Sequence, residues 1–565
     1  MKNKASFIAF CMIAIIYVAT RLIYFTGDFQ KQTTWDALGY YFYLPASQIY
    51  QAENSRTWLD SLDKTYHLSG GDIYQVQKHT SGNDVGKYLR GVSIMQWPFF
   101  QAAHWYARYT GHAPANGFSW PYQRAIAIAC LFYGLLGLFL LRSFLLKFFS
   151  DQIVSAGLLL LMLATNAIQY IAIEGGQSHG YIFALYAIML TLTYRWHQSP
   201  NTLLSFLMGG IFGLACISRP TEAVMMFIPL LWNVQNKSDW KQKWQMVIQN
   251  PRFVISLLLG ILLALSPQLL YWKKVTGLWI YDVGSKWDFL NPHWRVLFGP
   301  EKGWFVYTPI TICMVLGLWL IREKKIRYAL ITFCLLNIYI IIAWHTWRYG
   351  GSYSTRALVQ SYPVFAIPLC AFVERVYSSN KKIIIAVLMF YLMGLNLFQI
   401  RQYNQTILHY DDMNWAYYRA IYLNPNPSPQ TFSLMDDGVS ISPRKLKNPI
   451  SLWQKDSLFV DHDQTIISLN RENLNIESVG YLHLQFELKS SESLWGKYVV
   501  LSDSVSKSSF RIRLFRPLIR EKDWNRYEAW FFCRHPLRSL NFSIQEPLSS
   551  FEIKQAKIDF YTLKD

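Results

Sequence analysis

The chain has 565 residues, 52% of them hydrophobic and 17% aromatic, with a mean hydropathy of +0.13. That is too apolar for an ordinary soluble enzyme and too polar for a bare helical bundle, so a membrane protein with sizeable extramembrane parts is expected. The formal charge of +19 does not point to nucleic acid, because the basic residues lie in short runs between apolar spans, the topogenic pattern of a membrane protein.

The first apolar run, near 5–25, follows Lys2 and Lys4 and has no small-residue cleavage site after it, so it is expected to persist as an uncleaved first helix. Further candidate spans lie near 122–146, 153–172, 179–195, 203–218, 221–233, 253–272, 305–321, 327–344, 356–373 and 382–400. Segment 91–110 is apolar but carries Gln96, Gln101, His104 and Arg108, and is expected to lie in or re-enter the outer interface. With eleven spans and an inner N-terminus, every inner connection carries Lys or Arg, for example Arg142/Lys147, Arg322/Lys324/Lys325 and Lys381/Lys382. The expected fold is a polytopic α-helical membrane protein of about 11–13 transmembrane helices, followed by an outer C-terminal β-domain. The seven Cys lie mostly in apolar spans and offer neither a disulfide framework nor metal-ligand spacing.

From about 430 the pattern changes to short alternating runs at 481–488, 498–502, 510–515, 527–532, 540–544 and 551–561, which predict a β-sandwich. The expected organisation is a transmembrane domain at 1–420 with a long first outer loop at 26–121. A linker at 421–430, containing Asn424-Pro425-Asn426-Pro427-Ser428-Pro429, and a β-sandwich at 431–565 complete it. No internal repeat and no matched pair of broken helices is present, which weighs against a typical secondary transporter.

Polar groups converge on the outer side, and they suit sugar transfer from a lipid-phosphate donor. Such a reaction needs a carboxylate to take the acceptor proton or orient the acceptor hydroxyl. It also needs cations where charge grows on the leaving phosphate, and Arg binds phosphate as a planar fork. Asp36, just past the first span in Trp35-Asp36-Ala37-Leu38-Gly39-Tyr40, is the candidate carboxylate; a helix N-cap or first-turn role for the segment 37–50 is the competing reading. Phosphate candidates are Arg219 in Ser218-Arg219-Pro220-Thr221-Glu222, Lys302 between Gly299 and Gly303, Arg348 and Arg356 around Gly350-Gly351, and Lys87 before the interfacial segment. Arg219 could instead be a snorkelling residue at a helix end, and Lys302 part of a simple turn. Tyr40, Tyr88, Glu174, His179 and Tyr349 are candidate substrate contacts. No Asp-x-Asp pair occurs in the first loop, so no cofactor and no obligatory divalent metal is expected.

Taken in order, Trp35-Asp36 through Pro45, Lys87-Tyr88-Leu89-Arg90-Gly91, Ser178-His179-Gly180-Tyr181, Ser218-Arg219-Pro220-Thr221, Gly303 through Pro309, and Trp347-Arg348-Tyr349-Gly350 resemble landmarks of the GT-C glycosyltransferase superfamily. The resemblance covers roughly 1–420 and is to the protein O-mannosyltransferase-like branch, with the aminoarabinose transferases of lipid A in the same wider group. It is closest to members from Bacteroidota-type bacteria. It implies a polyprenyl-phosphate-linked sugar donor, inversion at the anomeric carbon, Asp36 as the first-loop carboxylate, and a cavity open to the periplasm of a bacterial inner membrane. The eukaryotic members carry a different soluble domain elsewhere, which leaves a protein, lipid A or a glycan as acceptor. An oligosaccharide ligase or polymerase using a pyrophosphate-linked donor is the rival within the enzyme class. A polar-lipid transporter or flippase is the rival outside it, although its charges are expected near mid-span.

Overall fold

The structure, a computed structural model, describes residues 3–25, 31–70, 72–441, 446–461, 465–469, 474, 476, 479–503, 507–515, 517–520, 523–545, 548 and 550–563. Lys2 and residues 26–30 of the first outer loop lie outside the described residues. The chain forms two compact units, Met1–Arg401 and Gln402–Asp565.

Each expected span of the first unit is helical. Six helices are long and apolar enough to cross a membrane: Lys4–Ile23, Trp120–Leu145, Pro251–Thr276, Lys324–Ile342, Arg356–Tyr377 and Lys382–Asn404. Of the remaining spans, His179–Gln198 is a continuous helix of 20 residues and the others are shorter or broken. Asp151–Leu163 is followed by a π-helical turn at Gln169–Ile173, and Pro220–Met226 is a 3-10 helix running into Phe227–Leu231. Irregular backbone at such depth needs buried partners, and here it has them. The Tyr170 hydroxyl donates to the Tyr353 carbonyl at 2.9 Å and accepts from the Tyr353 N–H at 2.8 Å, and Tyr362 donates to Asn166 at 2.6 Å. The unit is thus a multi-pass helical membrane protein. Gly91–Thr110 is one 20-residue helix with Trp97, Trp105 and Tyr109 exposed, and it is not among the six.

The bundle has two chemically distinct ends. At one end Asp151 accepts the N–H groups of Ala5 and Ser6 at the start of Lys4–Ile23, and Arg142 donates to Ser6. Arg322 pairs with Glu374, and the Lys243 ammonium donates to the Pro229, Leu230 and Trp232 carbonyls, on the connections expected inside. At the other end Arg21, the last-turn cation of the first helix, donates to the Ile173 carbonyl. There the long loop packs Tyr41, Phe42, Val76 and Phe118 into one buried cluster with Tyr122 of helix Trp120–Leu145 and Tyr271 and Trp272 of helix Pro251–Thr276.

The second unit is a β-sandwich of a four-stranded and a five-stranded antiparallel sheet. Gly480–Lys489, Tyr498–Asp503, Ser508–Arg513, Asn525–Cys533, Leu540–Gln545 and Ser550–Tyr561 match the alternating runs, and alternate positions such as Leu482, Leu484, Phe486 and Phe531 form its core. Strands Ile450–Asp461, Thr465–Leu469 and Ile519–Arg520 add to it. The unit begins before the expected boundary near 420. Gln402 donates to the Ile421 and Asn424 carbonyls and Asn414 to those of Leu434 and Met435, so residues 402–435 are bonded to one another within the second unit.

Helices Thr202–Cys216 and Pro251–Thr276 meet through glycine. A Cβ on Gly209 would lie 2.0 Å from the Leu257 carbonyl oxygen, and one on Gly260 2.1 Å from that of Phe206. Small residues at such a crossing let the two backbones approach. Gly209→Leu is expected to destabilise the purified protein by about 1–3 kcal/mol, the usual overpacking range. Gly394→Ala, which would meet nothing within 4 Å, is expected to be neutral. Thermal unfolding in detergent checks both.

Candidate active site

The first loop delivers Asp36 through an anchored but strained entry. Gln123, on helix Trp120–Leu145, accepts the N–H groups of Gln32 and Thr33 and donates to the Thr33 hydroxyl. Trp35 then adopts φ 53 and ψ −132, a conformation unfavourable for a bulky residue. It is held there by its own N–H on the Leu68 carbonyl and by Gln75 donating to its carbonyl. Backbone strain of this kind persists only where surrounding contacts over-determine it. Asp36 is the first residue of the short helix Asp36–Tyr41 and the acid of its first turn, as the competing reading expects.

The Asp36 side chain also gathers three donors. A hairpin pairs Val76–Lys78 with Asp84–Gly86, so Tyr74 and Tyr88 leave it side by side. Both hydroxyls donate to Asp36 Oδ1, Tyr74 at 2.7 Å and Tyr88 at 2.5 Å. Arg356, at the start of the 3-10 turn Arg356–Ser361, donates from Nη2 to Asp36 Oδ2 and forms an ion pair with it. Burial alone pushes the Asp36 carboxyl up, but the Arg356 charge and the two hydroxyls outweigh it and hold the group below the usual Asp value. Burial and the Asp36 charge push both phenols up, so they remain donors throughout the physiological range. Gly39 makes room for this cluster, because a Cβ there would lie 2.0 Å from the Tyr88 ring.

A cavity of about 360 Å³ opens beside the cluster. Asp36, Tyr40, Tyr74, Lys87, Tyr88 and Arg356 line one part of it. His179, Arg219, Tyr349 and Trp344 line another, with Trp287 from the loop after helix Pro251–Thr276. Gly91 brings Arg219 close: its N–H donates to the Ile217 carbonyl, and a Cβ would lie 2.3 Å from Ser218 Oγ. Backbone from 286–288 meets 343–345, through Asp288 N–H on Ala343 and His345 N–H on Lys286, and so sets the tryptophan side of the wall. Tyr349, Gly350 and Ser354 all have positive φ just before Arg356, a second strained entry into the same site.

The expected residues separate into two groups. Asp36, Tyr40, Lys87, Tyr88, His179, Arg219, Tyr349 and Arg356 share the cavity wall. Lys302, Arg348 and Glu174 are not on it. Lys302 is 1% exposed and donates to the Gly350 and Ser352 carbonyls at 2.9 and 3.2 Å, which ties down the strained segment instead of leaving its charge open. Arg348 is exposed. Glu174 accepts from Gln169, and burial pushes its carboxyl up. Tyr74 is a wall residue that sequence reasoning missed, as are Trp287 and Trp344: it is one Tyr in a polar loop, and the hairpin brings it to Asp36. Arg219 and Lys87 show neither an ion pair nor a hydrogen bond from their side chains among the described residues; Lys87 Nζ lies 5.9 Å from the Tyr74 ring. Among the described residues no group of three His, Cys, Asp or Glu converges as metal ligands do.

No family model and no curated protein matches the chain. Among solved structures it aligns with ArnT from Cupriavidus metallidurans at 10% identity over 72% of this chain and 68% of that one, with a TM-score of 0.36. It aligns with the archaeal oligosaccharyltransferase AglB from Archaeoglobus fulgidus, solved with an inhibitory peptide and a dolichol-phosphate, at 12% identity over 74% and 57%, TM-score 0.38. The arabinosyltransferase EmbB from Mycobacterium smegmatis aligns at 10% over 98% and 64%, TM-score 0.37. Likeness of this degree leaves the chemistry to be argued from the residues themselves.

Asp36→Asn strands the buried Arg356 charge and is expected to cost about 2–4 kcal/mol, slightly below the full range for breaking a buried pair because Asp36 is partly exposed. The folded carboxyl titrates below its unfolded value of about 3.9. Its stabilisation is therefore complete above that value and is lost as pH falls through the lower folded one. The melting difference between wild type and Asp36→Asn is expected to stay flat from about pH 8 to about pH 5 and to shrink only below about pH 4.

Proposed function

We propose that the first unit transfers a sugar from a polyprenyl-phosphate donor to an acceptor hydroxyl, with inversion, in the Asp36 cavity. The carrying observation is a paired carboxylate, Asp36 with Arg356, beside two cations whose side chains make no ion pair and no hydrogen bond among the described residues, Arg219 and Lys87, in one cavity of about 360 Å³ at the end of the bundle away from its basic connections. A donor phosphodiester bears one negative charge, and the polyprenyl phosphate that leaves bears up to two near neutral pH. Unpaired cations interact with that charge more strongly as it grows, which is how a fixed site lowers a barrier. With one cation of the wall already committed to Asp36, the two others suit a monophosphate better than a pyrophosphate.

In this reading Asp36 orients the acceptor and supplies a fixed negative charge near the anomeric carbon, where positive charge develops. Its depressed pKa and three donors make it a weak proton acceptor. Tyr40, Tyr88 and Tyr349 present aromatic walls to the sugar or the first isoprene units. The acceptor belongs to one of the classes protein, lipid A or glycan, and the cavity faces the periplasmic side of a bacterial inner membrane. The scheme uses no metal, and EDTA is expected to leave the rate unchanged.

Sugar release from synthetic polyprenyl-phosphate donors by the purified protein tests the reading. Asp36→Asn is expected to lower kcat by about 100-fold or more with donor affinity largely kept. Arg219→Ala and Lys87→Ala are expected to weaken both donor binding and rate, and Arg348→Ala to behave as wild type. Normal turnover in Asp36→Asn would remove the central claim. Binding of polyprenyl phosphate without release of sugar from any donor would favour lipid transport.

A further inference from the structure

His179 lies on the cavity wall, yet one ring nitrogen points away into a network of buried side chains. Its Nδ1 is 2.7 Å from Gln360 Oε1. Gln360 Nε2 donates to Glu222 Oε1 at 2.6 Å, and the other Glu222 oxygen accepts from the Tyr186 hydroxyl at 2.6 Å. Thr221 adds a third donor to the carboxylate at 3.1 Å. His179, Gln360 and Glu222 are each at most 2% exposed. Leaving such groups unsatisfied in a membrane interior is costly, so the chain of bonds is obligatory.

The network also has a direction. The Tyr186 and Thr221 hydroxyls both donate to Glu222, the pattern of a carboxylate that only accepts, and Gln360 accordingly turns its amide N–H toward it. The Gln360 oxygen then faces His179, and Nδ1 must carry the proton. In the neutral ring this fixes Nε2 as a lone-pair acceptor. Among the described residues Nε2 has no hydrogen-bond partner, while the ring packs edge-on against Tyr170 at 5.2 Å and the residue borders the cavity that holds Asp36. A His serving packing alone commonly satisfies both nitrogens. Here three side chains set one tautomer and leave the other nitrogen available, as in sites where a second group orients a catalytic imidazole.

We infer that His179 Nε2 is the proton acceptor of the transfer, with Gln360 and Glu222 as its positioning residues. The inference rests on the transferase reading and supplies what that reading lacks, a base other than Asp36. In the step, the acceptor oxygen bonds to the anomeric carbon while the bond from that carbon to the phosphate oxygen breaks. The electron pair of the broken bond leaves on the phosphate, and the hydroxyl proton passes to Nε2. The imidazolium keeps its Nδ1–H on Gln360 and later returns the proton to the leaving phosphate or to water. Of the charged groups acting on the ring, Arg219 and Arg356 oppose its protonation and Asp36 favours it, with Glu222 acting through Gln360.

The experiment uses the full-length purified protein, a panel of synthetic polyprenyl-phosphate hexoses and pentoses, and two kinds of acceptor. Water and methanol must lose a proton during transfer, whereas azide need not. His179→Gln keeps an N–H for Gln360 but has no basic nitrogen. It is expected to lower transfer to water and methanol by about 100-fold or more, to form glycosyl azide at close to the wild-type rate, and to bind polyprenyl phosphate as wild type does. Glu222→Gln lets the Gln360 amide turn over and is expected to lower the same hydroxyl transfer by about 10-fold or more. The double variant is expected to be no slower than His179→Gln alone, since both act on one step. Transfer to water retained in His179→Gln, or azide transfer lost in parallel with it, overturns the inference and leaves the transferase reading standing. No release by the wild type from any donor overturns the transferase reading and the inference with it.

Discussion

The ion pair between Asp36 and Arg356 joins positions 320 residues apart, and the geometry of the cavity depends on it. Neither partner reaches the other through relaxed backbone. Trp35 enters with positive φ on one side, and Tyr349, Gly350 and Ser354 do so on the other. Each distortion is held by its own set of contacts: Gln123, Leu68 and Gln75 for the first, Lys302 and Tyr170 for the second. Local strain of this kind is tolerated where packing over-determines it. The burial of Lys302 follows from the same constraint. A cation that looked available for a phosphate is used to fasten the loop carrying Arg356.

Much of the fold was legible because membranes impose simple rules. Span length, the positive-inside pattern and period-two alternation identify the helices and most strands of the second unit from composition alone. Strand Ile450–Asp461 was not legible, since Lys455 and Asp456 side by side break its alternation. The site was half legible. Asp36, His179 and Arg219 stand out because polar residues beside apolar spans are expensive. Tyr74 and Gln360 do not stand out. The first lies in a loop whose strands are three residues long, and the second is one amide in an apolar segment. Their meaning comes from partners 38 and 138 positions away, which no local pattern encodes.

Lys302 and Arg219 show the same limit from the other side. Each is a basic residue near glycine or proline at a helix entry, and spacing gives both the same claim on a phosphate. The difference between them is whether carbonyl oxygens lie within reach. Lys302 finds those of Gly350 and Ser352, and the Arg219 side chain shows no such bond among the described residues. A site cation is therefore defined by the partners that the fold withholds from it.

Charge accounting carries the proposed chemistry one step further. With Asp36 and Arg356 neutralising each other, the wall keeps the two positive charges of Arg219 and Lys87. A donor with one negative charge is held less strongly than a transition state in which that charge is growing, which favours catalysis. The same field holds the departing polyprenyl phosphate, with up to two negative charges, more strongly than the donor. Release of the lipid product therefore opposes the very interaction that speeds the chemistry. Protonation of the phosphate relieves that opposition. A base at the cavity wall that collects the acceptor proton faces Arg219 and Arg356, whose positive charges oppose the imidazolium and so favour passing the proton on to the leaving phosphate. Asp36, committed to Arg356 and to two phenols, has no such proton to return.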